Sequence, residues 1–526
     1  MKKSNFLFPL AASLFLSFIV HLSLSEVNIT TDKSALLALK ASITFDPQNA
    51  LADWFDTSSV CSWIGVICSS RHQRVTTLNI SNMGLIGSIP PRMGNLFFLM
   101  SLDISNNTFQ GKLPEELAYL HRLQYMNANF NNLTGEIPSS FGLLTEIQHL
   151  FPAYNTLSAS IPRSLFNISS LQRIVLTNNS LSGNLPTHMC SNLPKLETLA
   201  LSVNELEGQI PTVLKGCSKL QILSLSYNKF SGSIPRQIGN LTQLTNLYLG
   251  NNLEGETSPK IGNLPLQLLS LENSGLDGIL PSSIYNITSL TWINIYNNKL
   301  SGSLPPDLCS NLPAVQFVDL GNNLFSENIP REIGNCTSFT NFYLSGNQFT
   351  GNVPMEIGNL FNTERLALDN NSFTGRIPPT VFNISGIRGI SLLANNFSGS
   401  LLETIGIVLP NLEELYLGIN NLSGVIPDSI SNASKLTRLG LGYNEFTGSF
   451  PHSFGDLRFL QYLNVIENNL MTESSSPELS FFSALTCCQQ LRQLWIGYNP
   501  LNGILPSSVG NLSTSLEYVY AAYCAI

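Results

Sequence analysis

Residues 220–243, LQILSLSYNKFSGSIPRQIGNLTQ, contain the pattern that decides the fold of this chain. Leucine or isoleucine stands at four fixed places in this stretch, namely positions 220, 223, 225 and 234. Asn228, Gly232 and Pro235 complete the pattern, and the next copy begins at Leu244. A fixed period of about 24 residues predicts an array of stacked supersecondary units, because one such unit cannot bury its own apolar face.

The asparagine position of this pattern recurs along most of the chain, in steps of about 24 or 25 residues. It falls at Met83, Asn107, Asn131, Asn155, Asn179, Asn204, Asn228, Asn252, Ser274, Asn298, Asn323, Asn347, Asn371, Asn395, Asn420, Asn444, Asn468, Asn499 and Cys524. The pattern L-x-x-L-x-L-x-x-N/C-x-L is that of the leucine-rich repeat, with one strand and one helical or 3₁₀ segment per unit. We expect about eighteen full repeats and an incomplete one over residues 75–526.

Each part of the repeat has a predicted structural role. In L-x-L the leucines point inward and the x residues outward, because side chains alternate along a strand. The inward asparagine is expected to hydrogen-bond backbone groups of the following turn, and stacked asparagines then form a ladder. Met83 and Ser274 weaken this ladder, whereas Cys524 is a tolerated substitute. In G-x-I-P, glycine permits a turn and proline fixes φ, which predicts a short 3₁₀ or helical back side.

The N-terminus has the features of a secretory signal. Lys2 and Lys3 precede an apolar stretch at residues 6–24, and a Ser-Leu-Ser sequence before Glu26 offers a cleavage site. Residues 1–25 are therefore predicted to be a signal peptide, with an uncleaved membrane anchor as the alternative. No later stretch has about 18 consecutive apolar residues, so the sequence predicts no second membrane span. Secretion permits the cysteines to form disulfides.

Residues 26–74 are expected to cap the first repeat, because the end of a solenoid needs a cover for its apolar edge. In TDKSALLALKASI, Thr31 is the predicted helix N-cap, with Asp32 in the first turn. Cys61 and Cys68 bracket a tryptophan in CSWIGVIC, and we predict a disulfide between them. A free cysteine pair and half of a metal site are the alternatives, but a metal would need further His or Cys ligands.

Two further cysteine pairs share one spacing. Cys190 and Cys217 straddle one repeat in MCSNLP…GCSKL, and Cys309 and Cys336 do the same in LCSNLP…NCTSF. Both members of each pair then fall on the back side of neighbouring repeats, which predicts two inter-repeat disulfides. Small buried apolar cysteines are the alternative.

The unit between Asn468 and Asn499 is longer than the others. Its insertion, MTESSSPELSFFSALTCCQQ, lacks G-x-I-P and passes from a serine-rich stretch to an apolar helical run with Cys487 and Cys488. The prediction is a local bulge or mobile loop, and an excursion that contacts a ligand is the alternative. The pairing of Cys487, Cys488 and Cys524 is left open.

Composition and motifs argue against several classes of function. Only 11% of the residues are charged and the net charge is −8, which does not suit binding to a nucleic-acid backbone. The sequence has no G-x-G-x-x-G, Walker or H-E-x-x-H motif, and no HRD or DFG kinase motif. Its six histidines are scattered, so we predict no enzyme activity, no cofactor and no metal. We predict that Asp369 and Glu272 occupy outward strand positions. They would belong to a solvated face or, alternatively, would contact a basic ligand.

Sequons are dense in this chain, and several belong to the G-N-L-[ST] back-side pattern. The predicted N-glycosylation sites are Asn106, Asn132, Asn167, Asn240, Asn286, Asn335, Asn383, Asn421, Asn432 and Asn511. Glycans at these sites would keep a weakly charged surface hydrated and would mark surface that binds no protein. Asn79 is also in a sequon and is predicted to lie on the strand face, where a glycan would block ligand binding to the first repeats.

The motifs L-x-G-x-I-P, ALLALKASI and CSWIGVIC together resemble the plant-specific class of leucine-rich repeats. Over residues 26–526 the chain resembles the extracellular domains of plant receptor-like kinases and receptor-like proteins. The segments LRQLWIGYNPLNGILPSSVGNLS and LCSNLP are similar to the immune-receptor subfamily that senses bacterial flagellin or elongation-factor peptides. The resemblance implies a curved, superhelical α/β solenoid with parallel strands on its concave face and an N-terminal helical disulfide cap.

That family also implies a C-terminal cysteine cap, one transmembrane helix and a cytoplasmic Ser/Thr kinase, which this sequence lacks. The sequence stops at Ile526, before the G-x-I-P turn of its last repeat, so we expect a truncated receptor rather than a complete secreted protein. The expected location is the extracellular face of the plasma membrane, or the apoplast if this chain is the whole product.

The concave strand face is the predicted binding surface. The candidate ligand-binding residues are Tyr248, Trp292, Asn294, Tyr296, Phe317, Asp319, Asn341 and Tyr343. Aromatic anchors dominate interface energetics, so we expect an extended peptide or a partner protein to lie across these repeats. The alternative is that the rings only cover strand backbone. Further outward aromatic positions are Tyr416, Tyr443, Trp495 and Tyr498.

The sequence therefore predicts a binding module: the ligand-recognition part of a plant receptor-like kinase. Its ligand would be a peptide or microbial pattern, in immunity or development, and a co-receptor ectodomain is a further expected partner. A secreted inhibitor or decoy, resembling plant inhibitors of cell-wall-degrading enzymes, is the alternative. The variable x positions determine the ligand, and the sequence does not name it.

Overall fold

The computed structural model describes residues 28–214, 216–407, 409–472 and 478–526. They form two compact units: one ends at Glu207 and also contains Val213–Leu220, and the other comprises Gly208–Thr212 and Gln221–Ile526. The predicted signal peptide at residues 1–25 lies outside the described residues. Within the described ranges, no helix is both long enough and apolar enough to cross a membrane.

Each L-x-L motif forms a short strand, and neighbouring strands pair in parallel, as Trp292 with Phe317 shows. In the first unit these strands are Val75–Asn79, Ser101–Asp103, Tyr125–Asn127, His149–Phe151, Arg173–Val175 and Thr198–Ala200. In the second unit they are Ile222–Ser224, Asn246–Tyr248, Leu268–Ser270, Trp292–Asn294, Phe317–Asp319, Asn341–Tyr343, Arg365–Ala367, Gly389–Ser391, Glu414–Tyr416, Arg438–Gly440, Tyr462–Asn464, Gln493–Trp495 and Tyr518–Tyr520. We call the outward side of these strands the strand face. Most of the three-residue strands bury the middle residue, so their first and third residues form that face.

A second row of short parallel strands follows the asparagine turn of each repeat. In the first unit these strands are Ile86–Ser88, Thr108–Lys112, Asn132–Glu136, Thr156–Ser160 and Ser180–Asn184, and Glu205–Gln209 spans the boundary between the units. In the second unit they are Lys229–Ser231, Glu254–Glu256, Gly275–Ile279, Lys299–Gly302, Leu324–Glu327, Gln348–Gly351, Ser372–Gly375, Asn396–Gly399, Asn421–Val425, Glu445–Ser449 and Asn469–Met471. The buried side chains of this row stack on one another: the ring centroids of Phe325, Phe349, Phe373 and Phe397 lie 6.5, 6.1 and 6.1 Å apart in turn.

The back side of most repeats is a 3₁₀ helix that starts directly after the proline of G-x-I-P, as predicted. In the first unit these helices are Pro91–Asn95, Glu115–Tyr119, Ser139–Leu143, Arg163–Asn167 and Met189–Asn192. In the second unit they are Arg236–Asn240, Pro259–Asn263, Ser282–Asn286, Arg331–Asn335, Met355–Asn359, Pro379–Asn383, Asp428–Asn432, His452–Asp456 and Ser507–Asn511. Two repeats have a short α-helix instead, Leu308–Asn311 and Phe481–Leu485. The parallel strand rows and these back-side helices confirm the predicted leucine-rich-repeat solenoid.

The N-terminal cap contains the α-helix Ile29–Ser42, and Thr31 is not its N-cap. Asn28 is, because its side-chain oxygen accepts a hydrogen bond from the backbone nitrogen of Thr30 at 3.0 Å. Asp32 lies in the first turn, as predicted, and is fully buried. Its carboxylate accepts hydrogen bonds from the Arg74 guanidinium at 2.6 and 2.8 Å and from the Val75 backbone at 2.9 Å. The hydrogen bond from Val75 joins the cap helix to the first repeat strand.

The rest of the cap is closed by a disulfide between Cys61 and Cys68, as predicted. The strand Val66–Cys68 pairs in antiparallel fashion with the first repeat strand, Val75–Asn79, and thereby covers its edge. The strand Ile43–Phe45 does the same for Ile86–Ser88 in the second row. Cys61 lies in a short 3₁₀ helix, Val60–Ser62.

The asparagine ladder is present, and Asn395 shows its full set of bonds. The Asn395 amide nitrogen donates to the carbonyl oxygens of Leu368, Leu392 and Leu393 at 3.0–3.2 Å. The Asn395 oxygen accepts from the Phe373 backbone nitrogen at 3.0 Å. Four backbone groups of two neighbouring repeats are thus satisfied by one side chain. Cys524 takes the same position, since its thiol donates to the Ile496 carbonyl at 3.2 Å.

One predicted rung of the ladder is wrong: the structure uses Asn251, not Asn252. Asn251 is buried, donates to the carbonyl oxygens of Leu225 and Leu249 at 3.0 Å, and accepts from the Asn228 backbone at 2.8 Å. Asn252 is exposed. In other repeats a residue with positive φ precedes the asparagine, as Tyr227 does at φ 56°. Among the described residues of this turn, no residue with positive φ precedes Asn251, so the turn is one residue shorter and the asparagine shifts by one position.

Both predicted inter-repeat disulfides are present. Cys190 pairs with Cys217, and Cys309 pairs with Cys336. Each bond joins the back-side segment of one repeat to that of the next. Cys487, Cys488 and Cys524 are free thiols.

The long unit after Asn468 contains a short helix within the predicted apolar helical run, so this part is not a bulge or mobile loop. Residues 473–477 of this insertion lie outside the described residues. Beyond them, the helix Phe481–Leu485 packs its two phenylalanines into the core, and the Phe481 ring stacks on Phe450 at 4.0 Å. Cys488 follows this helix and is buried, and its burial raises the pKa of the thiol to about 12. The second half of the insertion is therefore part of the core.

Candidate functional site

Three of the predicted binding residues form a continuous aromatic row on the strand face. Trp292, Phe317 and Asn341 are the first residues of consecutive strands, and Tyr343 is the third residue of the last of these strands. The Trp292 and Phe317 rings stack with centroids 3.6 Å apart, and Phe317 contacts Tyr343 edge-on at 5.7 Å. Trp292 remains 39% exposed, so the row offers ring surface to solvent as well as covering the strands beneath it. We call Trp292, Phe317 and Tyr343 the aromatic row.

Hydrogen bonds hold the polar ends of this site in place. The Tyr343 hydroxyl accepts a hydrogen bond from the Asn341 amide at 2.6 Å. The Tyr296 hydroxyl accepts one from Asn322 at 2.8 Å, and its ring is 37% exposed. Because these bonds restrain the rings, little side-chain entropy remains to be lost when a ligand binds.

Two carboxylates lie beside the aromatic row. The Asp319 carboxylate accepts a hydrogen bond from the Gly321 backbone at 2.9 Å. Burial raises the pKa of Asp319, and the nearby negative charge of Glu272 raises it further. Glu272 itself is only 8% exposed and accepts a hydrogen bond from the Ser270 hydroxyl, so its placement on a solvated face was wrong. Its position after the second leucine belongs to the turn, where the side chain folds back onto the strand.

Of the remaining predicted residues, Asn294 lies next to the aromatic row and Tyr248 lies apart from it. Asn294 is the third residue of the strand that begins with Trp292, and its side-chain oxygen accepts from the Tyr296 backbone at 3.1 Å. Tyr248 lies two strands away, opposite Ser270, which is opposite Asn294. Among the described aromatic residues, the Tyr248 ring does not contact any ring of the aromatic row. Asp369 lies on the other flank and accepts hydrogen bonds from Ser345 and Asn370 at 2.7 and 2.8 Å.

A depression next to Tyr343 was missed by the sequence analysis. It has a volume of about 170 Å³ and is lined by side chains that include Tyr343, Arg365, Gly389, Glu414 and Tyr416. Tyr416 had been noted as an outward aromatic residue, but the small and charged neighbours had not. The signal was present in the sequence, because Gly389 occupies an outward strand position where neighbouring repeats have large side chains.

A second aromatic group on the strand face of the first unit was also missed. Tyr125, His149 and Phe151 contact one another with ring centroids 5.7–6.1 Å apart. Burial and the adjacent Arg173 guanidinium lower the pKa of His149. These rings are half-buried, in contrast to the exposed Trp292.

The predicted glycan sites are all exposed and are separate from the aromatic row. Most of them are the last residue of a back-side 3₁₀ helix, namely Asn167, Asn240, Asn286, Asn335, Asn383, Asn432 and Asn511. Within the described ranges, no group of His, Cys, Asp and Glu side chains is arranged to hold a metal ion.

Family models match much of the chain. The leucine rich repeat N-terminal domain matches residues 29–69, which is the cap. Leucine rich repeat models match residues 194–253, 265–325 and 410–470, and residues 98–120, 122–144, 338–360 and 490–512. The repeat models together cover more than half of the sequence, so the chain belongs to the leucine-rich-repeat family.

More specific similarity is to receptor kinases of Arabidopsis thaliana. A putative receptor-like protein kinase is 42% identical over 72 residues, which is 14% of this chain and 7% of that protein. The LRR receptor-like serine/threonine-protein kinase EFR is 42% identical over 73 residues, again 14% of this chain and 7% of that protein. The matched stretches thus span well under two thirds of these relatives.

The fold is similar over most of its length to a solved plant receptor. The Arabidopsis receptor kinase HAESA, in complex with the peptide hormone IDA and the co-receptor SERK1, superposes with a TM-score of 0.71 at 28% identity. The alignment covers 89% of this chain and 86% of that one. The chain is therefore a plant-type leucine-rich-repeat array similar to receptor-kinase ectodomains.

Proposed function

We propose that this chain is the extracellular ligand-recognition module of a plant receptor-like kinase, and that it binds an extended peptide across the strand face at the aromatic row. The observation that carries this proposal is the row itself: three contacting rings, one of them 39% exposed, in consecutive repeats. Large exposed rings fixed by neighbours are typical of binding hot spots.

The groups around the row suit a peptide. Asn294 and Asn341 flank the rings with amide groups that both donate and accept hydrogen bonds, as peptide groups require. Asp319 adds an acceptor beside them. An extended chain that crosses the strands would place apolar side chains on the rings and its backbone near these polar groups.

Similarity to HAESA supports the class of ligand and a second partner. That receptor is bound to a peptide hormone and to a co-receptor. We infer that this chain also recognises a peptide, in immunity or in development, and that a co-receptor ectodomain completes the complex. The three disulfides and the dense, exposed sequons support an extracellular location.

The test uses a phage library of random peptides about twelve residues long, which span about 40 Å at about 3.3 Å per residue. This exceeds the distance of about 24 Å across six neighbouring strands at about 4.8 Å per strand. Peptides selected on the full chain are synthesised, and their affinities are measured by calorimetry. The double variant Trp292→Ala, Tyr343→Ala is expected to weaken binding by about tenfold or more, since each ring is an anchor.

The control is the double variant Phe130→Ala, Tyr154→Ala, which removes a stacked and exposed ring pair in the other unit. This control is expected to leave affinity unchanged. Unchanged affinity in the Trp292, Tyr343 variant would reject the proposed site, and failure to select any peptide would reject peptide recognition.

A further inference from the structure

In the second unit, one strand of the strand face begins with a glycine, whereas the strands on either side begin with charged side chains. The first residues of three consecutive strands are Arg365, Gly389 and Glu414, which lie opposite one another in register. Of the first residues of the strand-face strands described in the second unit, Gly389 alone is a glycine. The depression that Gly389 lines lies beside Tyr343, where the aromatic row ends.

Neither the backbone nor the packing requires glycine at this position. Gly389 does not have a positive φ, so an L-residue could adopt its conformation without strain. A Cβ added there would lie 3.5 Å from the Arg365 Nη1 atom and 4.0 Å from the Glu414 Oε2 atom, which are ordinary contacts. By contrast, a Cβ on Gly442 would come within 2.5 Å of Asn464. Gly389 therefore differs from glycines that the fold requires: it is buried next to the Arg365–Glu414 ion pair and lines the depression.

The space is bounded on both sides by rings and floored by small residues. Tyr343 and Tyr416 stand at its two ends, and Ala367 and Ser391 lie between them in the same row. The resulting depression has a volume of about 170 Å³, which is sufficient for one side chain of the size of leucine or phenylalanine. We call it the Gly389 notch.

The charged groups at the notch neutralise one another. Arg365 pairs with Glu414 at 3.4 Å across Gly389, and Arg438 approaches Glu414 at 3.9 Å. Next to them, Arg388 pairs with Glu413 at 3.1 Å and with Glu364 at 3.6 Å. The three arginines and three glutamates leave no net charge. The notch therefore presents no net charge that would attract a charged ligand group, and an uncharged group can bind beside these exposed pairs.

We propose that the Gly389 notch takes one uncharged, apolar or aromatic side chain of a peptide that also lies on the aromatic row. This inference rests on the proposed function and adds a specificity pocket to it. Phe317 and Gly389 are three strands apart, about 14 Å at about 4.8 Å per strand. An extended peptide covers that distance in about four residues. The ligand thus has two apolar anchors about four positions apart.

The experiment compares selections from the same phage library on the full wild-type chain and on Gly389→Leu. On the wild type, the selected peptides are expected to share two apolar positions about four residues apart. On Gly389→Leu, which fills the notch, one of these positions is expected to lose its preference. Thr198→Leu, at the first position of a strand in the other unit, is the matched control and should select the same peptides as the wild type.

Calorimetry with one selected peptide then assigns the anchor. Gly389→Leu, or replacement of the anchor by alanine in the peptide, is expected to weaken binding about tenfold, and the two changes together should cost little more. This loss should be nearly independent of salt, because the anchor is uncharged. Gly389→Ala, which makes only ordinary contacts, serves as a folded variant with a smaller expected loss.

The outcomes separate the notch from the binding site as a whole. Peptides that lose affinity on Trp292→Ala but not on Gly389→Leu would overturn the notch and leave the proposed function intact. Selected peptides with a charged residue at the anchor position would also overturn it. No selected peptide, or none that depends on Trp292, would overturn the proposed function and the notch with it.

Discussion

At the scale of single residues, the ladder explains why asparagine occupies one position in most repeats. The asparagine side chain both donates and accepts hydrogen bonds. One side-chain amide therefore satisfies backbone carbonyls and a backbone nitrogen that the turn would otherwise leave buried and unpaired. An aspartate carboxylate could accept hydrogen bonds but not donate them, and a leucine side chain could do neither. The short turn at Asn251 shows that the geometry, rather than the position number, selects the residue.

This gives a prediction for two adjacent asparagines. Asn251→Ala is expected to lower the free energy of unfolding by about 1–3 kcal/mol for each buried group left unpaired. Asn252→Ala is the matched control and should change it by less than about 0.5 kcal/mol, because Asn252 is exposed. Urea unfolding measures both changes.

Hydrogen exchange localises the effect. The Asn228 backbone amide donates to Asn251, so its exchange should accelerate in Asn251→Ala and remain slow in Asn252→Ala. Equal destabilisation by the two variants would contradict the shifted ladder.

At the scale of elements, the back side carries the covalent links between repeats. Cys309 lies in the short helix Leu308–Asn311, and Cys336 caps the next 3₁₀ helix, Arg331–Asn335. The bond between them holds two back-side segments together beneath the strands that begin with Phe317 and Asn341. The disulfide therefore stabilises the repeats that present the aromatic row.

We predict that the double variant Cys309→Ala, Cys336→Ala lowers the free energy of unfolding by about 3–4 kcal/mol, the chain-entropy value for a loop of this length. Alanine avoids the buried hydroxyl that serine would add. Cys487→Ala, which removes an exposed free thiol, is the control and should have little effect. Denaturant unfolding under non-reducing conditions tests this prediction, and a loss no larger than that of the control would contradict it.

Much of the element structure could be predicted because the repeat period fixes where strands, turns and back-side helices fall. The cysteine pairs followed from the same period. Other features depend on contacts that a period does not encode: the N-cap at Asn28, the deleted turn residue before Asn251, and the burial of Glu272 against Ser270. The Gly389 notch was missed because four neighbouring repeats form it together, and no single outward residue indicates it.

At the scale of the whole molecule, the surface has an unusually small charge. Only 11% of the residues are charged, and the exposed side chains include several large apolar ones, such as Phe130 and Ile419. Soluble proteins ordinarily rely on a higher density of charge to remain dispersed. The exposed sequons at the ends of the 3₁₀ helices are the groups that could supply the missing hydration.

We therefore predict that enzymatic removal of N-glycans lowers the solubility of the protein produced in a glycosylating host, without changing its circular dichroism spectrum. Peptide mapping should find glycan at sites such as Asn240 and Asn335, which end back-side helices. Protein expressed with glycans and left untreated is the control. Equal solubility before and after treatment would contradict a solubilising role.

The asparagine ladder has a consequence for how such a protein can change over generations. Because inward leucines and ladder asparagines satisfy the packing and the backbone, the first and third residues of each strand contribute little to folding. Mutations at these positions can therefore alter recognition while the scaffold persists, and each repeat can vary almost independently of the others. The architecture therefore separates inherited variation in the surface residues from the requirement that the chain fold.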